Sequence, residues 1–243
     1  MIYDRILEKK AEGKKQIALL IDPDKVYADG LSGMLNSVNA TPPDLILVGG
    51  SLISANIDNT IKSIKEKVDV PILLFPGSSI QISSLADGIL FLSLLSGRNP
   101  EFLVSHHVSA APLLKASGME IISTGYLLIN GGRVSSVEYM SNTKPIPGEK
   151  DDLAVATAMA GEMMGMKMLY LEAGSGALTP VPETMIARVK EQTNVPLFVG
   201  GGLNSTGKIK TACKAGADIV VVGNAFEKEP GLLRSFVETV REM

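Results

Sequence analysis

Cysteine occurs once in the 243 residues, tryptophan not at all, and histidine only twice, at the adjacent positions His106 and His107. One thiol excludes an internal disulfide and any thiolate-rich metal site. Cys213 stands in a helical pattern beside Ala212 and Ala215, which reads as a buried structural thiol and not a nucleophile. The two histidines lie in a helical stretch away from any strand end, so they read as surface or helix-packing residues. Zinc sites and hydrolase triads built on histidine therefore find little support. Apolar runs stop short of the ~18 residues of a membrane span, and no charged-then-apolar segment resembles a leader peptide. The expected location is the cytoplasm. An excess of one charge is lacking too: the net charge is −3, with lysine and arginine scattered among the acids. Such a chain carries no nucleic-acid footprint.

What is present is a 45% hydrophobic complement, enough for a full core. It is divided into eight short apolar runs, at 16–21, 45–48, 71–75, 88–92, 120–123, 168–172, 197–199 and 219–222, which read as buried strands. Helical patterns fall between them. Residues 2–12 form an additional amphipathic helix stopped by Gly13, and Pro230 suits the first position of a final helix. Eight strands alternating with helices in a chain of this length predict an α/β fold: a single-domain (β/α)8 TIM barrel with an extra N-terminal helix. An open doubly wound sheet is the runner-up. One internal echo favours closure, since 44–51 (D-L-I-L-V-G-G-S) resembles 218–225 (D-I-V-V-V-G-N-A). The least regular stretch, 124–150, reads as a long functional loop with a short hairpin around Gly131.

Chemistry in a barrel gathers at the C-terminal ends of its strands. Three successive ends are rich in small residues: Gly174-Ser175-Gly176, Gly200-Gly201-Gly202, and Gly223-Asn224. Backbone N–H groups freed by glycine make a seat for a phosphate dianion, and the triple glycine exceeds what a tight turn needs. Asp22 ends the first strand, where a carboxylate is a candidate catalytic base, metal ligand or helix cap. With Ser51, which follows the second strand, it makes a sparse oxygen pair of the kind Mg²⁺ accepts when phosphates and water complete its shell. Asp24 is placed to cap the first helix. Tyr170 and Glu172, two apart on one strand, point together into the barrel mouth. A buried glutamate there needs a partner, and a substrate hydroxyl is a candidate. Thr124 and the 96–98 region, with Arg98, complete the set of strand-end residues. No lysine sits in the C-terminal half of a strand, which speaks against a Schiff-base aldolase. The fifth strand offers no second aspartate for acid–base isomerisation.

These motifs occur together and in order: Leu20-Ile21-Asp22-Pro23-Asp24-Lys25, Val48-Gly49-Gly50-Ser51, Leu74-Phe75-Pro76-Gly77-Ser78 and Leu95-Ser96-Gly97-Arg98-Asn99-Pro100. Asn142-Thr143-Lys144-Pro145, Tyr170–Ala177, the triple glycine and Val222-Gly223-Asn224 follow. Over nearly the whole chain the set resembles the geranylgeranylglyceryl phosphate synthase family, including its bacterial PcrB-related members. The resemblance implies a Mg²⁺-dependent prenyltransferase joining sn-glycerol 1-phosphate to a prenyl diphosphate as an ether. It implies that Asp22 and Ser51 hold the metal. Tyr170, Glu172, Ala173, Gly174, Ser175, Gly176, Gly201, Gly202, Gly223 and Asn224 would hold glycerol 1-phosphate, with Glu172 as general base. Some bacterial members carry a lysine where this chain has Leu20. The first-strand form and the Arg98 motif look closer to the archaeal and Bacteroidetes-type branch, with its twenty-carbon donor. Lys25, Arg98, Lys144 and Lys150 are candidate partners for the diphosphate, and 78–87 is a candidate wall of an apolar groove. Barrels of this kind commonly form homo-oligomers. A phosphosugar isomerase or aldolase-like barrel and a non-catalytic phosphate-binding barrel remain as alternatives.

Overall fold

The eight apolar runs close on themselves. The structure, a computed structural model, describes residues 1–26, 28–229 and 231–243; Pro230, expected to open the last helix, lies outside them. The strands are β1 (Gln16–Ile21), β2 (Leu45–Val48), β3 (Ile72–Leu74), β4 (Gly88–Leu94), β5 (Glu120–Leu128), β6 (Met168–Glu172), β7 (Leu197–Gly200) and β8 (Ile219–Val222). They pair in parallel in sequence order, and β8 returns to β1 with Gln16 opposite Ile219. The result is a closed (β/α)8 barrel. Its helices are α1 (Ile2–Ala11), α2 (Ala28–Ala40), α3 (Ile57–Lys65), α4 (His106–Ser117), α5 (Ser136–Ser141), α6 (Asp151–Met163), α7 (Glu183–Gln192), α8 (Thr206–Ala215), α9 (Asn224–Lys228) and α10 (Leu232–Arg241). A single turn of π-helix, 101–105, leads into α4. Among the described residues no helix is long and apolar enough to cross a membrane.

Strand alternation divides the core in two. Ala18, Leu47, Leu73, Leu90, Ile122, Met168, Phe198 and Val221 fill the barrel, and Ile2 and Ile6 of α1 pack with them as a plug at the base. The opposite faces, such as Leu19, Ile46, Leu171 and Val220, pack beneath the outer helices. The topmost inner layer is aromatic: Tyr170 lies 5.4, 5.3 and 5.6 Å, centroid to centroid, from Phe75, Tyr126 and Phe198. This layer is the floor of the barrel mouth.

A repeated device fastens the base. Asp44, Asp87 and Asp218 immediately precede or adjoin even-numbered strands. Each donates its N–H to the carbonyl of a residue on the preceding odd strand (Ile17, Ile72 and Leu197). Each then accepts that residue's N–H on Oδ2, at 2.9, 2.8 and 2.9 Å. A lysine from the helix before the odd strand closes the clasp: Lys9 on Asp44, Lys65 on Asp87, Lys190 on Asp218. The 44–51 and 218–225 echo begins at two of these aspartates. The fourth pair, β5–β6, has Lys167 at the equivalent place and carries no such carboxylate.

Two expectations are corrected. Strand β5 does not end at Ser123 but runs to Leu128, so Thr124 is not a strand-end residue; it is wholly buried, and its hydroxyl donates to Ile122 O at 3.0 Å. Gly125 gave the appearance of a turn. It is glycine because Leu95 and Leu169 press on it: a Cβ there would come within 2.8 Å of Leu95 Cδ1. The hairpin at Gly131 is absent. In its place Ile129 bridges to Ile146 in parallel, and α5 stands over the mouth, with Ser135 Oγ accepting the Glu138 N–H at 3.1 Å.

Candidate active site

At the C-terminal rim a cavity of about 690 Å³ collects the strand ends. Asp22, Ser51, Tyr170, Glu172, Gly174, Ser175, Gly176, Gly201, Gly202, Gly223 and Asn224 all line it. Sequence reasoning therefore assembled one site from five strands. Ala173 lies just beneath, with its N–H donating to Gly200 O at 3.0 Å. Arg98, Lys144 and Lys150 do not line the cavity; the Arg98 guanidinium donates to Leu95 O at 3.0 Å from a left-handed backbone, φ 58°.

Glu172 is the best-defined group. It ends β6 facing inward and is 6% exposed. Its Oε1 accepts the Gly174 N–H at 2.7 Å, which fixes the carboxylate against the following turn. Burial raises its pKa to about 7, against the opposing pull of the Gly174 N–H and the Tyr170 hydroxyl. Tyr170 Oη is buried without a satisfied hydrogen bond. Burial, then the Glu172 charge, pushes this phenol well above its usual range, so Tyr170 is a hydrogen-bond donor at any ordinary pH. A Cβ on Gly200 would come within 2.5 Å of Tyr170 Oη and 2.6 Å of Glu172 Oε2. A Cβ on Gly201 would come within 2.5 Å of Glu172 Oε1. The first two glycines thus make room for the acid, and Gly201 and Gly202 also turn through positive φ, 81° and 72°.

Beside Glu172 the backbone forms the anion seat. Among the described residues, the N–H groups of Ser175, Gly176, Gly202 and Asn224 donate to no protein acceptor. Gly202 and Asn224 are half-buried and Ser175 and Gly176 exposed, so four N–H groups stand open together at one rim, a place for an anion. Ser175 and Asn224 join across it, with Asn224 Nδ2 donating to Ser175 Oγ at 3.0 Å.

On the adjoining part of the rim, after β1, Asp22 folds into a turn, Oδ1 accepting the Asp24 N–H at 3.1 Å. Its carboxylate lies against Gly50, the residue before Ser51; a Cβ on Gly50 would sit 3.4 Å from Oδ2. Asp24 accepts from Ser54 N, Ser54 Oγ and Ala55 N, which hold its carboxyl below the usual range. Tyr27, just before α2, lies outside the described residues, and the expected helix cap with it. Gln81, which sequence reasoning missed, ties the β2 and β3 ends together by donating to Gly50 O at 2.8 Å and accepting from Gly77 N at 3.0 Å.

From this rim an apolar groove runs outward between β3, β4 and α4, lined by Phe75, Ile82, Phe91, Leu94, Phe102 and Leu114. Ser78, Ser79 and Ile82 supply one wall, as expected for part of 78–87. Groove and cavity share Gly50, Ser51, Phe75, Tyr126 and Val137, so the two are continuous there. His107 packs edge-on to Phe91 with Nε2 3.0 Å from Ser93 Oγ; burial lowers its pKa, in keeping with a packing role. Val137 and Ser136 of α5 were missed as lining residues. The signal was there: Ser135-x-x-Glu138 is a helix-start pattern.

A closed barrel with an N–H seat on β6–β8 and a buried acid poised beside it defines a phosphate-binding TIM-barrel enzyme. The chain belongs to the PcrB family, whose model matches residues 7–241. It is 50% identical over 240 residues to a geranylgeranylglyceryl phosphate synthase of Chitinophaga pinensis, spanning 98% of this chain and 95% of that one. Against the protein of the same name from Pyrococcus furiosus the identity is 41% over 226 residues, 92% and 89% of the two chains. Among solved structures, (S)-3-O-geranylgeranylglyceryl phosphate synthase from Thermoplasma acidophilum, in complex with substrate sn-glycerol-1-phosphate, superposes with a TM-score of 0.93 at 32% identity, covering 100% and 99%. A tryptophan synthase alpha chain from Legionella pneumophila, at 15% identity and a TM-score of 0.61, shares the fold alone.

Proposed function

We propose that this chain joins sn-glycerol 1-phosphate to a prenyl diphosphate, releasing diphosphate, with geranylgeranyl diphosphate as donor and Mg²⁺ as cofactor. One observation carries the reading: a buried carboxylate with a pKa of about 7 stands between an N–H seat for a phosphate and the mouth of an apolar groove. With its phosphate on Ser175, Gly176, Gly202 and Asn224, glycerol 1-phosphate turns its far hydroxyl toward Glu172 and Tyr170. Glu172 takes the proton as the hydroxyl oxygen bonds to the first carbon of the prenyl chain. The bond between that carbon and the diphosphate breaks, and the electron pair leaves with the diphosphate. Tyr170, unsatisfied in the barrel, donates to the substrate oxygens and orients them.

The donor set at Asp22 fits a hard divalent cation. Asp22 and Ser51 line one cavity, with the Asp22 carboxylate against Gly50, and no cluster of three His, Cys, Asp or Glu occurs among the described residues. So few protein ligands suit Mg²⁺ that keeps water and substrate phosphate in its shell. Bound there, Mg²⁺ would supply charge to the leaving diphosphate. The groove begins at this spot, at Ser51 and Phe75. A twenty-carbon tail sheltered in it, at ~0.8 kcal/mol per CH₂, contributes on the order of 10 kcal/mol. Exposed Val104, Val108, Leu113 and Met163 on the outer helices support association with further copies of the chain.

The test is direct. Radiolabelled sn-glycerol 1-phosphate is incubated with geranylgeranyl diphosphate and Mg²⁺, and the mixture is extracted with butanol. Label passes to the organic phase, and EDTA prevents it. Label that stays in water with prenyl diphosphates of every length tried defeats the reading.

A further inference from the structure

Lys25 takes no part in the chemistry above, yet it stands between its two halves. It follows β1, and Nζ lies 3.1 Å from Asp22 Oδ2. The same nitrogen lies 3.2 Å from Asn224 Oδ1, 3.5 Å from Ser175 Oγ and 3.8 Å from Glu227 Oε2. Among the described residues lining the cavity it is the only cation, facing Asp22, Asp24, Glu172 and Glu227. Asp24 is occupied by Ser54 and Ala55, and Glu172 by Gly174, so neither competes for it. The side chain is 44% exposed, on a flexible four-carbon stem.

One ammonium therefore touches a residue of the metal edge and two residues of the phosphate seat. A divalent cation arriving on Asp22 repels an ammonium sharing the same carboxylate. A phosphate dianion arriving between Ser175 and Asn224 attracts it. We infer that Lys25 is a shared cation coupling the two subsites: it neutralises Asp22 in the free protein and moves onto the glycerol phosphate when the metal takes Asp22. The inference rests on the proposed function for the identity of the two ligands. Its consequence is reciprocal: each ligand tightens the other by the same factor, and couplings of this sort run from about 5-fold to 150-fold.

Calorimetric titrations without any prenyl donor test it, since no turnover intervenes. Wild-type protein binds sn-glycerol 1-phosphate about tenfold tighter in saturating Mg²⁺ than in EDTA, and Mg²⁺ is tightened equally by the phosphate. Lys25→Met, which keeps the stem, binds the phosphate about 10- to 100-fold more weakly in Mg²⁺. In that variant Mg²⁺ no longer changes phosphate affinity. Mg²⁺ alone binds it more tightly than wild type, because its competitor for Asp22 is gone; loss of structure would not produce that gain. Lys25→Gln provides a second neutral variant, and circular dichroism verifies that both fold. Coupling that survives in the variants overturns the role of Lys25. So does Mg²⁺ and phosphate binding to wild type independently. If wild type binds no Mg²⁺, the metal reading falls, and the coupling with it. If it binds Mg²⁺ but no glycerol phosphate, the substrate assignment and the coupling both fall.

Discussion

At the scale of single residues, Glu172 carries two opposed consequences of one burial. Its pKa of about 7 makes it half-ionised at neutral pH, so turnover rises with pH through that region and levels above it. Glu172→Gln keeps the size and loses the basicity, and turnover falls about 10²- to 10⁴-fold. Stability moves the other way. A carboxyl raised from 4.5 in the unfolded chain has no penalty where both states are protonated, below about pH 4, and a full penalty above about pH 7. A shift of that size is about 3 kcal/mol. The Gln variant should therefore melt higher than wild type at pH 8, with the gap closing toward pH 4; equal melting at pH 8 would show Glu172 to be better solvated than its burial implies. The glycines are also resolved one by one. At Gly202, φ is 72° and a Cβ would come within 3.1 Å of Pro180 N. Gly202→Val should raise the half-saturation for sn-glycerol 1-phosphate roughly 10²-fold or more, and that for the prenyl diphosphate much less. Circular dichroism separates this from unfolding. Gly223 differs, because its φ is −143°; its constraint is Leu20 O, 3.3 Å from where a Cβ would sit. Letters alone cannot distinguish the two glycines, since one answers to torsion and the other to a neighbouring chain.

At the scale of elements, strands were legible wherever a run was apolar on both faces, because such runs need cover on both sides. β1, β2, β6 and β8 begin and end where the sequence places them. The far end of β5 was not legible, because Thr124-Gly125 looks like a break until Leu95, Leu169 and Met166 are seen to need the space. The site was legible for the same reason as the strands: its residues follow directly on them. What escaped was whatever comes from loops folding back, namely Gln81 and the α5 wall. α5 is six residues long and rests on its cap. Ser135→Ala removes that cap at about 1 kcal/mol. Because Ser136 and Val137 line the mouth, KM for the prenyl diphosphate should rise several-fold while the melting temperature scarcely moves. A lowered melting temperature with unchanged KM would place α5 in the framework and not at the mouth.

At the scale of the whole molecule, the three clasps hold the base on which the rim stands. Their weight depends on burial. Asp218 and Lys190 are 7% and 27% exposed, whereas Asp87 and Lys65 are 39% and 41% exposed. Asp218→Ala leaves the buried Leu197 N–H and a partly buried lysine without their acceptor and should lower unfolding free energy by about 3 kcal/mol. Asp87→Ala, whose carboxylate and lysine reach solvent, should lower it by less, about 1 kcal/mol. Urea titrations of both variants decide the order, and equal losses would mean that burial does not set it.

The clasps also divide the barrel. β1 is fastened to β2, β3 to β4 and β7 to β8 by a carboxylate and a lysine as well as backbone, and β5–β6 at that place by backbone and the Ser123 hydroxyl, which accepts the Lys167 N–H at 3.1 Å. In the language of hydrogen exchange these are three staves locked by ion pairs and a fourth held by a serine hydroxyl instead. The amides of Ile17, Ile72 and Leu197 should exchange in step with their own stave, and removal of a clasp aspartate should release its amide first. The stave without an ion-pair lock is the one that carries Tyr170 and Glu172. Gly202 and Asn224, which follow β7 and β8, ride on a locked one. Breathing at the fourth stave would let the base and its phenol shift between substrate and product while the glycerol phosphate stays gripped by the other side of the mouth.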